Sequence, residues 1–200
     1  MSAPSIARAW LVGGLALMAV LGGCAHSTPT PVATEPPPAV DLGAYKMLVV
    51  TSEAGSGVFI PDHERQGVVA MVKGELHERA PGRFVFVEPG TTPAAAAGSE
   101  PAKTLHMNIL FTEYDKGSAF GRFMLAGLGQ IRVGSNVKLW DEQTQAALGS
   151  YEVSKQFAFG GIYGAVTDME DVQQGLAKGI AEVLVPTTAA GKDTAKPAPQ

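Results

Sequence analysis

One cysteine stands in the whole chain of 200 residues, so no intramolecular disulfide can form and no thiolate cluster can hold a metal. Charge is also sparse. Lys and Arg number 15 against 19 Asp and Glu, a net charge of -4 with no basic run, which removes the electrostatic footprint that nucleic-acid binding needs. The 4 histidines, His26, His63, His77 and His106, make no H-E-x-x-H pair, although His77-Glu78 begins one. No G-x-x-x-x-G-K-[ST] loop occurs. Gly127-Leu128-Gly129 fails the dinucleotide pattern, because Arg132 stands where the third glycine belongs and a strand follows. Gly117-Ser118 and Gly55-Ser56-Gly57 have the wrong spacing for a nucleophile elbow. These absences lead us to expect no catalytic constellation, no metal and no cofactor beyond a covalent lipid.

A long hydrophobic run is missing too. The apolar stretch from Ala9 to Val20 is shorter than the ~20 residues that span a bilayer, and Gly13 and Gly14 break it. What is there instead is Arg8, that short stretch, and Leu21-Gly22-Gly23-Cys24 at its exit. This is the build of a bacterial lipoprotein signal peptide. Gly22 and Gly23 present the small residues that a prolipoprotein peptidase cleft admits, Leu21 fills the apolar position before them, and the Cys24 thiol takes the diacylglycerol. Two or three acyl chains such as palmitate, at ~0.8 kcal/mol per buried methylene, make the anchoring stable. Ala25 follows where an aspartate would signal inner-membrane retention, so we expect a cell-envelope protein on the outer membrane, facing the periplasm. Processing removes Arg8 and no acid, taking the charge from -4 to -5.

Composition divides the rest. Residues 1–23 read as signal peptide, 24–40 as the lipidated cysteine and a Pro-rich linker, 41–185 as an α/β domain and 186–200 as a disordered tail. The linker, His26 to Val40, has almost no large apolar side chain and favours extended polyproline conformations. At ~3 Å per residue such a stalk would hold the domain some ~40 Å from the membrane.

Within the domain, Met47 to Val50 is a short apolar run suited to a buried strand. Asp62 is placed to cap a helix carrying Val68, Val69, Val72 and Leu76, with Pro81-Gly82 as its stop, and Arg83 to Val87 supplies the next strand. A right-handed crossover and parallel pairing are the default for such a unit. Residues 91–101, with four consecutive alanines, read as a surface loop. From Lys103 the period becomes two: Leu105, Met107, Ile109 and Phe111 face one way, Thr104, His106, Asn108 and Thr112 the other. Ile131, Val133, Val137 and Leu139 alternate likewise, and after a turn at Asp141 to Gln145 so do Tyr151, Val153 and Phe157, giving an antiparallel hairpin. Thr167 and Glu170 have capping-box spacing ahead of Met169, Val172, Leu176, Ile180 and Val183, one apolar helical face. The expected fold is a single mixed sheet of about five strands with two helices packed on it, in the order β-α-β, β, hairpin, α.

Two segments resist this reading. Residues 115–130 hold Gly117, Gly121, Gly127 and Gly129 among Phe120, Phe123, Met124 and Leu125, and residues 157–164 hold Phe159, Ile162 and Tyr163 among further glycines. If the hairpin pairs through its turn, both lie at one end of it. Glycines there serve either tight packing beneath an irregular loop or an exposed apolar surface for a partner protein or the bilayer, with Arg122 on its rim. Glu113 and Asp115, on one side of a strand end, are expected to be solvated charges.

The stretch from Tyr114 to Val153, YDKGSAFGRFMLAGLGQIRVGSNVKLWDEQTQAALGSYEV, resembles the core of the bacterial lipoproteins grouped as domain of unknown function 4410. In those proteins a tyrosine and glycine precede an arginine, a Gly-rich apolar turn, a strand, a D-x-x-T-G-like hairpin and a terminal helix. Tyr114, Gly117, Arg122, Gly127, Gly129, Asp141 and Thr144 occupy those places, while Gln145 stands where glycine is usual. More loosely, the element order is similar to the periplasmic domains of curli-secretion-type lipoproteins. The resemblance implies a lipoprotein and no particular activity. Three functions stay open: a non-enzymatic accessory of an envelope complex, a self-associating module of a secretion or envelope assembly, and a hydrolase of envelope polymers. The last requires clustered acids or a hydroxyl and histidine in a cleft.

Overall fold

The computed structural model describes residues 28–35, 41–91, 103–118, 129–157 and 168–186, and the statements below concern those residues. Their elements run β1 (Val32–Ala33), a 3-10 turn (Leu42–Ala44), β2 (Met47–Ala54), α1 (Asp62–Arg79), β3 (Val85–Val87), β4 (Thr104–Asp115), β5 (Ile131–Asp141), β6 (Ala147–Phe157) and α2 (Met169–Leu184). One mixed six-stranded sheet results, in the order β1-β6-β5-β4-β2-β3.

The expected β-α-β unit is present. β2 pairs in parallel with β3, Leu48 opposite Phe86, and with β4, Leu48 opposite Leu105. The later strands pair antiparallel, β4 with β5 and β5 with β6. Both helices cover one face. Val68, Val72 and Leu76 of α1 and Val172, Leu176 and Ile180 of α2 join Leu48, Val50, Leu105, Met107, Ile109, Phe111, Val137 and Val153 in a single buried cluster. The other face is polar, with Thr51, Asn108, Asn136, Lys138, Glu152 and Ser154 on it.

Four local features differ from expectation. The sixth strand, β1, comes from the Pro-rich segment: Val32 lies opposite Glu152, and the Thr34 amide and hydroxyl both donate to Ser150 O, at 2.9 and 3.1 Å. Composition could not show it, because backbone bonds to a free sheet edge hold it, and an edge strand tolerates short length and flanking prolines. Asp62 is the first residue of α1, not its cap. Pro61 precedes it without a side-chain cap bond, and Asp62 instead pairs with Arg65 one turn on. The capping box of α2 lies one residue later than Thr167 and Glu170 suggest, with Asp168 accepting from the Asp171 amide at 3.1 Å and Asp171 from that of Asp168 at 3.3 Å. Aspartate is the better N-cap of the two candidates, which favours that register. Finally, β4 bulges between Phe111 and Glu113, so the strict alternation stops there and Tyr114 returns to the core face opposite Val133.

Candidate functional site

The hairpin register places Ile131 opposite Phe157, and β4 ends with Asp115 opposite Arg132. The chain therefore leaves at Ser118, returns at Gly129, leaves again at Phe157 and returns at Asp168, all at one end of the sheet. Both Gly-rich segments are rooted together, as the sequence suggested. The N-termini of α1 and α2 open at this end as well, and so does the β2–α1 loop, in which Phe59 is 87% exposed. Glycine is required at the first of these roots. Gly117 has φ of +59°, and a Cβ there would strike the carbonyl oxygens of Gly129 and Gln130.

Beneath the roots lies a polar cluster that sequence reasoning did not find. Glu64 Oε1 meets Lys116 Nζ at 2.7 Å, and Gln173, buried on α2, donates to Glu64 Oε2 at 3.1 Å and to the Tyr114 hydroxyl at 3.0 Å. The bulge that turns Tyr114 inward makes this meeting possible. A shallow open depression of about 400 Å³ adjoins it, lined by His63, Glu64, Met71, Lys116, Met169 and Gln173. Lys155 is buried on the core face opposite Val133. Its parity with Val153 and Phe157 was available in the sequence, although its charge argued for the other face. Glu113 and Asp115 are exposed as expected, with Glu113 3.7 Å from Arg132. Leu21, Gly22, Gly23, Cys24, Phe120, Arg122, Phe123, Met124, Leu125, Gly127, Phe159, Ile162, Tyr163, the alanine-rich loop and the tail beyond Pro186 lie outside the described residues.

The opposite end is tightly bonded. Asp141 closes the hairpin turn: its Oδ1 accepts from the amides of Gln143 and Thr144 at 2.9 and 2.8 Å, and its Oδ2 accepts from the buried Tyr45 hydroxyl at 2.8 Å. The Thr144 amide above all, with the Tyr45 hydroxyl helping, holds the Asp141 carboxyl below the usual carboxylate range against the opposing effect of burial. Burial first and the Asp141 carboxylate second push the Tyr45 hydroxyl up to about 12. Gln145 in this turn has φ of +57°, the one positive value among described residues other than glycine, which accounts for the glycine usual at that place.

On the open face, Thr51 Oγ1 lies 3.1 Å from His106 Nε2, and His106 Nδ1 lies 2.7 Å from Glu142 Oε2. This hydroxyl, imidazole and carboxylate line up as a nucleophile and base would. The setting differs from a cleft, however. His106 stacks on Trp140 at 4.1 Å, and the Thr51 oxygen is also engaged by Asn108 Nδ2 at 3.1 Å, so the group forms a cross-strand ladder tying β2, β4 and β5 together. Among the described residues, no group of three His, Cys, Asp or Glu is placed to hold a metal ion, and no helix is long and apolar enough to cross a membrane.

Comparison with known proteins returns the family that the sequence resembles. The model described as Domain of unknown function (DUF4410) matches residues 90–161, which include the whole stretch from Tyr114 to Val153. No curated protein matches the chain significantly. Among solved structures, the chain is similar to the PelC dodecamer from Paraburkholderia phytofirmans, at 16% identity and a TM-score of 0.49, over 76% of this chain and 96% of that one. It is similar also to a lipoprotein from Neisseria meningitidis, at 14% identity and TM-score 0.39, over 72% of this chain and 99% of that one. A Xanthomonas campestris protein of the DUF330 family is similar at 14% identity and TM-score 0.38, over 80% and 86%.

Proposed function

We propose that this chain is a lipid-anchored lipoprotein of the bacterial outer membrane, facing the periplasm, that serves as a non-enzymatic accessory of an envelope complex. Cys24 carries the lipid, and Leu21, Gly22 and Gly23 present the site to the processing peptidase. The contact surface is the end of the domain from which both Gly-rich segments arise, with Phe120, Phe123, Met124, Leu125, Phe159, Ile162 and Tyr163 as its apolar groups and Arg122 on its rim. The observation that carries this reading is the common root: the Ile131 and Phe157 pairing brings two apolar segments, distant in sequence, to one edge beside the exposed Phe59. Large apolar groups gathered at one exposed place mark interaction sites.

A second reading, self-association, draws support from the far edge of the sheet. β3 covers only Met47 to Val49 of β2, so Val50 to Ser52 border an open groove of about 560 Å³ in which a strand from another copy could pair. Light scattering separates the two. The native lipidated protein in mild detergent is compared with a form begun at Ala25 that carries no lipid. A monomer begun at Ala25 beside a native protein eluting in a larger mixed complex supports the accessory role. The same discrete homo-oligomer in both supports self-association, and monomers in both refute the two readings together.

A further inference from the structure

From the course of β1 we infer that the partner met first by the Gly-rich end is the lipid surface holding the chain's own anchor, with that end facing the bilayer at close range. This rests on the lipidation of Cys24 proposed above and goes beyond it, because lipidation alone says nothing of orientation or distance.

The argument begins with strand direction. Val32 lies opposite Glu152 and Ala33 opposite Tyr151, and Thr34 bonds to Ser150, so β1 advances toward the hairpin turn as its numbers rise. Followed backward, toward Cys24, the chain heads for Phe157 and the roots of the Gly-rich segments. Packing fixes the next point. Gly179 of α2 lacks the Cβ that would otherwise sit 2.6 Å from Pro29 Cγ and 2.8 Å from Val153 Cγ1, so Pro29 lies at the level of Val153. From Val153 to the end of β6 at Phe157 is four residues, about 13 Å at ~3.3 Å each. From Pro29 back to Cys24 is five residues, which span at most ~18 Å when extended. The two lengths match: a span of five residues can carry the lipidated residue to the level of the Gly-rich end and little further.

A free linker of the whole Pro-rich segment would have allowed a stand-off of some ~40 Å and any orientation. The docked strap leaves at most those five residues. So short a tether makes contact between this end and the bilayer effectively intramolecular, and a weak contact then suffices. The described rim carries Asp62, Asp115, Asp168 and Glu170 against Lys116 and Arg132, a balance that does not favour anionic lipid, so the tether and apolar groups such as Phe59 hold the surface.

The test uses the lipidated protein in vesicles of phosphatidylethanolamine and phosphatidylcholine containing a headgroup-labelled acceptor lipid. Mass spectrometry of the N-terminal peptide comes first: absence of lipid on Cys24 overturns the anchoring reading and this inference with it. A donor dye is then placed at Phe59→Cys or, at the opposite end, at Ala146→Cys, Cys24 being blocked by its own lipid. These sites are separated by about the length of β5, roughly 30 Å at ~3.3 Å per residue, so energy transfer from position 59 should exceed that from 146 at least about twofold. Thr34→Pro removes both the amide and the hydroxyl that donate to Ser150 and should bring the ratio toward one while the protein stays membrane-bound. Equal transfer from the two positions in the lipidated protein, or a ratio unchanged by Thr34→Pro, overturns the inference and leaves the anchor intact.

Discussion

Replacing Tyr45 with Phe removes one oxygen and makes a quantitative test of how the turn end of the sheet is held. The Tyr45 hydroxyl donates to a carboxylate, 2.8 Å from Asp141 Oδ2, and both residues are buried. A hydrogen bond to a charged group contributes about 1.5–3 kcal/mol, and the phenylalanine ring refills the space without replacing it. In a domain of this size each kcal/mol moves the midpoint by about 2–4 °C, so the variant should melt roughly 6 °C lower at pH 7. The pH dependence tests the cause. Asp141 titrates lower in the folded protein than in the unfolded chain, so its share of stability is present above about pH 3.9 and disappears as the pH falls through the lower folded value. Tyr45 titrates higher when folded, at about 12 against the ordinary 10.0 of a tyrosine, so its share is complete below pH 10 and lost as the pH rises toward 12. The gap between wild type and Tyr45→Phe should therefore be widest near neutrality and shrink on both sides. Urea unfolding at pH 3, 7 and 11 followed by tryptophan fluorescence measures it, Trp140 being the one tryptophan beyond residue 23. A gap below about 0.5 kcal/mol at pH 7, well short of the contribution expected of such a bond, would refute the argument. So would a gap that stays constant from pH 7 to 11.

Leu176, with no exposed surface between α2 and the sheet, should cost about 2–5 kcal/mol when cut to Ala, read as a lowered urea midpoint with unchanged slope. Asp168→Ala removes the N-cap of α2 and should cost about 1 kcal/mol in the same assay, whereas Asp168→Asn should keep most of it. Cys24→Ser should move the protein from the membrane fraction to the soluble periplasmic fraction, and a variant that stayed with the membrane would end the anchoring argument.

What could be read in advance was whatever period and burial dictate. Leu105, Met107, Ile109 and Phe111 announce a half-buried strand by alternation alone, and Val68, Val72 and Leu76 announce a helix face by steps of four, and all seven are fully buried. Features resting on backbone bonds or on residues far apart were illegible. β1 is made by amides and carbonyls that any sequence carries. Tyr45 and Asp141 are 96 positions apart, and nothing local in either marks the other. The meeting of Tyr114, Gln173 and Glu64 depends on a bulge that shifts parity by one residue, and a strict alternation carried past Phe111 turns Tyr114 the wrong way. Lys155 is the reverse case, since its place in the alternation with Val153 and Phe157 marks the core face where it is buried, while its charge marks the other.

The two ends of this domain are built for different work, and the contrast yields one more separable expectation. At the hairpin-turn end, Asp141 gathers three donors, and Tyr45 fastens the start of the domain to the turn. At the opposite end the strands stop, both helices begin, and two long connections leave the sheet, the first with Gly117 and Gly129 at its roots. Loops set on a rigid frame are where binding is usually found, and the frame must hold its shape while they engage. The Thr34 strap and the Tyr45 staple share no bonding partner, Thr34 answering to Ser150 and Tyr45 to Asp141. Their variants should accordingly separate stability from placement. Tyr45→Phe should lower the melting point and leave the dye at position 59 as close to the lipid as before. Thr34→Pro, losing two exposed edge hydrogen bonds of about 0.5–1 kcal/mol each, should lower the melting point by a few degrees at most while the same dye retreats. A Tyr45→Phe variant whose dye also retreated would mean that strap and frame are one structure, and that the end facing the membrane is set by the whole fold instead of by β1.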